Sequence, residues 1–131
     1  MVKPFLRKDV SLMENNLTFQ NQTLTISPRG ISKLLALKSK LAIPFNHIVG
    51  ATIDPEILKD FKGIRSPGTA VPGLYYAGTF YNQQEKLFFN IRISSTPVVI
   101  QLRNEEYDWI VIGVEDPRKL VEYLNNLIYS N

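Results

Sequence analysis

The sequence predicts a mainly β domain: a bent antiparallel barrel or split sandwich of about seven or eight short strands, capped by a C-terminal amphipathic helix. Three observations predict it. From Leu74 onward, apolar residues alternate in runs that are separated by polar turns. Upstream, Leu17 and Phe19, then Leu24 and Ile26, alternate on either side of Asn21-Gln22. Finally, Asp116-Pro117 opens a stretch with a single apolar stripe. At 131 residues, 44% hydrophobic and 21% charged, the chain fits one domain with its own core.

Residues 10 to 20 carry Val10, Leu12, Leu17 and Phe19 around Asn15-Asn16, which reads as a hairpin or a bulged strand. Asn21-Gln22 is a second tight turn, after which Leu24 and Ile26 continue the alternation. Pro28-Arg29-Gly30 ends that strand. Ile31, Leu34, Leu35 and Lys38 fall at i, i+3, i+4 and i+7, so the spacing predicts a short helix over 31–38. Leu41, Ile43 and Phe45 alternate around Pro44, which suits an edge strand because proline donates no ladder hydrogen bond. Ile48 to Ile53 is the next strand.

Residues 55 to 73 are the longest connection. Glu56 to Phe61 can form one helical turn, and Lys62 to Gly73 has no period. Long irregular connections in compact domains tend to be functional, so this is the first place to look for a site. Pro67-Gly68 and Pro72-Gly73 punctuate it before the aromatic run Leu74-Tyr75-Tyr76.

Residues 74 to 81 and 86 to 93 read as strands around a polar loop, Asn82 to Glu85. Alternation puts Leu87, Phe89, Ile91 and Ile93 on one face, with Phe88, Asn90 and Arg92 on the other. Val98 to Arg103 and Tyr107 to Val114 complete four antiparallel strands. Asp116 is an N-cap and Pro117 suits the first helical position, which has no N–H to lose. Leu120, Val121, Leu124, Leu127 and Ile128 form the stripe of a helix over 117–128. Burying all five is worth on the order of 10 kcal/mol gross, at ~2 kcal/mol each, before chain entropy is subtracted.

The chain has no cysteine, which excludes a disulfide framework, a thiolate nucleophile and thiolate metal ligands. The N-terminus lacks the apolar run of a signal peptide, and no stretch is apolar for long enough to span a bilayer. A cytoplasmic protein is expected. The net charge of +3 is unevenly spread. Between Glu14 and Asp54 the only charges are Arg29, Lys33, Lys38 and Lys40, a basic segment that reads as a solvated face or as a contact for an anionic surface.

Catalytic constellations are missing. His47 is the single histidine, with no nucleophile motif beside it, and reads as a hydrogen-bonded loop residue. Without cysteine or a second histidine, a zinc site would need three carboxylates. No phosphate-binding glycine motif occurs, and Pro67-Gly68-Thr69 near Arg65 and Lys62 reads as a plain turn or a weak anion site. The carboxylate groups Asp54/Glu56 and Glu105/Glu106/Asp108 sit at a strand end and a hairpin. The aromatics Tyr75, Tyr76, Phe80, Tyr81, Phe88 and Phe89 have only Lys86 and Arg92 near them, too few cations for a base-stacking surface. Tyr76 and Phe88 are expected to form an exposed patch for a protein partner.

Several motifs have a familiar arrangement: Ile43-Pro44-Phe45 before a strand, Pro67-Gly68-Thr69 with Pro72-Gly73, Gly78-Thr79, and Val114-Glu115-Asp116-Pro117 leading into the helix. On these, over roughly residues 17 to 128, the chain resembles the bacterial pleckstrin-homology-like domains and a group of short prokaryotic proteins sharing the same punctuation. The resemblance implies a strongly bent antiparallel barrel with a C-terminal helix, and a role in binding lipids, peptides or protein surfaces. It transfers no site residue: the Asn21-Gln22 turn holds none of the Lys/Arg clustered there in lipid-binding members.

The expectation is therefore a non-enzymatic binding or assembly module, without cofactor or metal, acting by protein–protein contact or self-association. Arg65, Thr69, Tyr76 and Phe88 are the candidate contact residues. Attachment to an anionic membrane surface through Arg29, Lys33, Lys38 and Lys40 is the alternative, and an enzyme with its site in the cleft of the 55–73 loop the third; nucleic acid is not an expected partner.

Overall fold

The computed structural model describes residues 15–28, 40–60, 64–65, 69–71 and 75–130. The expected strand around Val10 and the helix over 31–38 lie outside them. Strand β1 (Asn15–Gln20) pairs antiparallel with β2 (Thr23–Pro28), and only Asn21 and Gln22 form the loop. Both have positive φ, 55° and 57°. Two left-handed residues in succession match the twist of the strands they join, the requirement of a two-residue hairpin. Strand β3 (Leu41–Pro44) lies on the other side of β2 and completes a three-stranded sheet. As the proline predicted, β3 is an edge.

A 3₁₀ turn, Phe45–His47, carries the chain from this sheet into strand β4 (Ile48–Ile53) of a second one. Both ends of the turn are fastened. The Phe45 N–H donates to the Gln22 carbonyl at 2.8 Å, and the Arg103 N–H donates to the His47 carbonyl at 2.9 Å. Arg103 Nε also donates to the Asn46 carbonyl at 3.1 Å, and His47 Nδ1 meets the Glu105 carboxylate.

The second sheet has seven strands. Besides β4 it holds β5 (Ile64–Arg65), β6 (Thr69–Val71), β7 (Tyr75–Asn82), β8 (Glu85–Arg92), β9 (Val98–Leu102) and β10 (Trp109–Ile112). Their order is β4-β9-β10-β8-β7-β5, with β6 pairing the other end of β7. Two corrections follow. The 62–73 stretch is not wholly irregular, because β5 and β6 hydrogen-bond along β7. The final strands are not four in antiparallel succession, because β10 inserts between β8 and β9 and runs parallel to β8.

The insertion has a local cause. Residues 93–97 carry the chain from β8 across a gap one strand wide, and the hairpin after β9 folds β10 back into it. Asp108 locks the entry to the slot. Its N–H donates to the Lys86 carbonyl at 2.8 Å, its carboxylate accepts the Lys86 N–H at 2.9 Å, and its carbonyl accepts the Leu102 N–H at 2.9 Å. The Lys86 ammonium lies 5.2 Å over the Tyr107 ring and pairs with Glu106 at 3.1 Å. That hydrogen-bonded carboxylate holds Lys86 above its usual pKa, against a smaller opposing effect of burial.

The protein is thus mainly β, with two sheets, and no barrel closes among the described residues: β4 and β5 are opposite edges of the larger sheet. The C-terminal helix is present as expected and runs two residues further (Pro117–Ser130). Asp116 Oδ1 accepts the Lys119 N–H at 3.2 Å, the N-cap bond expected of it. A four-residue helix, α1 (Ile57–Asp60), follows β4, so the C-terminal helix is α2.

The core has two parts, one on each face of the seven-stranded sheet. On the inner face, Phe88, Ile100, Ile110 and Ile112 meet Leu17, Leu24 and Ile26 of the small sheet and Leu120 and Leu124 of α2. Two buried amides tie the sheets together: Asn15 Nδ2 donates to the carbonyls of Asn90 and Gly113 at 3.0 and 2.9 Å, and Asn90 Nδ2 donates to Asn15 Oδ1 at 2.8 Å. On the outer face, Phe80, Leu87, Phe89, Ile91, Val99 and Val111 form a second cluster, with Ile57 and Leu58 of α1 packed against it.

Candidate binding cleft

Among the described residues helix α1 covers only part of the outer face, and a groove opens on each side of it. Asp54 positions the helix. Its side chain accepts the Glu56 N–H at 3.1 Å and its carbonyl accepts the Ile57 N–H at 3.2 Å, the turn that Asp-Pro sequences favour. This sets Ile57 toward one groove and Leu58 toward the other.

The larger groove, about 480 Å³, is bounded by the end of β4, by α1, by the β7–β8 hairpin and by Trp109. The parallel register of β10 on β8 puts Trp109 beside Leu87, and Leu87 and Val99 supply a buried apolar floor. Trp109 Nε1 donates to Glu85 Oε2 at 3.0 Å, which fixes the indole against the hairpin. Asp54, Glu56 and Glu85 ring the opening, and among the described residues no lysine, arginine or histidine lines it. In a chain of net charge +3 this groove has the opposite sign. An apolar floor, an aromatic wall and a carboxylate rim suit an apolar side chain flanked by a cation, since carboxylates and an indole face both attract positive charge.

The smaller groove, about 270 Å³, is lined by Pro55, Leu58, Tyr76, Ile93 and residues 95–97. Tyr76 is half-buried, its ring 6.1 Å from both Phe80 and Phe89. Ile93 is 39% exposed, unusual for its size.

The expected contact residues are only partly brought together. Tyr76 lines the smaller groove. Phe88 does not join it: its side chain is fully buried on the inner face, 5.4 Å from the Tyr107 ring. The exposed Tyr76–Phe88 patch is therefore corrected. The register sets Tyr76 beside Ile91 on the outer face, opposite Phe88, and both faces of β8 are covered, so alternation alone identifies no solvent side. Arg65 and Thr69 lie in β5 and β6, paired with Phe80 and Ala77, and their side chains fall outside the description. Arg29, Lys33 and Lys38 also lie outside it, while Lys40 is exposed. His47 is hydrogen-bonded in its loop, as expected. Of the acidic groups, Asp54/Glu56 faces the larger groove, while Glu105 and Glu106 line a small pocket beside β3. Glu85 and Trp109 escaped the sequence reading. Their only signal was one tryptophan at a strand start and an acid at a hairpin, and the non-local register alone joins them.

Among the described residues no three His, Cys, Asp or Glu side chains gather as metal ligands, and no helix is long and apolar enough to cross a membrane. Comparison with protein-family models, with curated proteins and with solved structures gave no match.

Proposed function

We propose that this chain is a non-enzymatic binding module that holds a protein partner on the outer face of its seven-stranded sheet, with the acidic groove as the main contact. The observation that carries the reading is the inverted charge of a groove with an apolar floor in a net-basic chain. The partner segment presents an apolar side chain next to lysine or arginine. Its docking is strongest at low ionic strength, because the rim is exposed and screened by salt.

The groove contains its own reporter, since Trp109 is the one tryptophan of the chain. Titration with a short synthetic peptide of alternating lysine and leucine is expected to shift or quench the tryptophan emission. The Thr52→Lys, Glu56→Lys double variant is expected to lose roughly tenfold or more in affinity, about 1.4 kcal/mol. Emission unchanged through millimolar peptide at low salt, or affinity equal in the double variant, would overturn the reading.

A further inference from the structure

Strand β4, Ile48-Val49-Gly50-Ala51-Thr52-Ile53, is an edge with an unusual sequence: it has no charge and no proline, and four of its six residues are β-branched. Edges of that composition are the ones that pair with a copy of themselves, because their outward N–H and C=O groups form a ready template. The register shows which groups point outward. The Asp54 N–H donates to the Pro97 carbonyl at 3.2 Å, so Asp54, and with it Thr52 and Gly50, faces β9. Ala51 faces away from it.

The outward groups of Ala51 are taken by a side chain of the C-terminal helix. The Ala51 N–H donates to Asn125 Oδ1 at 3.0 Å, and Asn125 Nδ2 donates to the Ala51 carbonyl at 2.8 Å. A carboxamide bonding both groups of one residue reproduces the closed pair of hydrogen bonds that a neighbouring antiparallel strand would make. Asn125 interrupts the apolar stripe of α2 next to Leu124, where an apolar residue would pack and leave Ala51 unpaired. A bulge at Val49 distorts the same edge.

We infer that Asn125 is a strand surrogate: it occupies the outward hydrogen-bonding groups of Ala51 on the β4 edge and prevents two copies of the chain from joining there, β4 to β4. The occupant when the amide is gone is the same strand of a second copy, antiparallel about Ala51, which makes the contact two-fold and closed. β4 also gives Thr52 to the acidic groove, but the inference rests on Ala51 and Asn125, neither of which lines it.

The test is the association state of Asn125→Leu against the native chain, by sedimentation over a wide concentration range. Self-association roughly tenfold or more stronger is expected, and Val49→Lys added to it should reverse the gain, because a lysine on an edge opposes pairing. A folded Asn125→Leu protein with unchanged association would overturn the inference, as would association that Val49→Lys leaves untouched. If the leucine variant does not fold, Asn125→Ser is judged by the same two criteria. In the native chain, hydrogen exchange at the Ala51 amide should be as slow as at the β9 amides, and prompt exchange there would equally overturn the inference.

Discussion

Asn15 and Asn90 are both fully buried, and their side chains form the polar seam between two otherwise apolar sheets. A buried amide is tolerated only where its hydrogen bonds are made, and losing one partner exposes the other to the full desolvation cost. Asn90→Leu keeps the branched shape of the side chain, adds some volume and removes the donor to Asn15 Oδ1. It should therefore cost about 1–3 kcal/mol, read as a lowered urea midpoint at unchanged slope. A neutral or stabilising result would mean that packing alone sets how the small sheet sits. The role of these residues is not legible in the sequence: asparagine pairs signal turns, and Asn15-Asn16 reads as a hairpin turn or a strand bulge. What makes it a core residue is a contact across 75 positions of chain.

Elements announced themselves where their cause is local. The Asn21-Gln22 turn, the edge position of Pro44 and the Asp116-Pro117 helix start each depend on residues within a few positions. The cap, the missing N–H and the left-handed turn are all written into side chains that sit there. The β10 insertion was not legible, because a strand's neighbour is chosen by the width of a connection and by the bonds of Asp108, not by alternation. For the same reason the acidic groove was half-read: Asp54 and Glu56 lie in the suspected connection, whereas Glu85 and Trp109 arrive from elsewhere. At this scale the turn offers a sharp test. Gln22 holds φ at 57°, a conformation that costs a residue with a Cβ about 1–2 kcal/mol and glycine nothing. Gln22→Gly creates the Asn-Gly pair favoured in such hairpins and should stabilise the protein by about 0.5–1 kcal/mol in thermal or urea unfolding. Destabilisation would show that the Gln22 side chain makes a contact outweighing the strain.

The whole molecule is a sheet with two unequal faces. The inner face is sealed by a second sheet and by α2, so Leu124 has no exposed surface and a truncation there opens a cavity that cannot collapse. The outer face carries a smaller cluster of large apolar side chains, against which, among the described residues, one helical turn packs, and the grooves on either side leave Leu58 half-exposed. A face kept apolar yet left partly open contributes less to stability than its composition suggests, and that surplus is what a partner would bury. Leu124→Ala should cost about 2–5 kcal/mol, the range for a leucine lost from a close-packed core. Leu58→Ala should cost well under half of that, since neighbouring side chains and water can fill the space. The two are compared by urea unfolding under the same conditions. Equal losses would make the outer face a second closed core, and the acidic groove would then be a surface dimple rather than a place for another protein to sit.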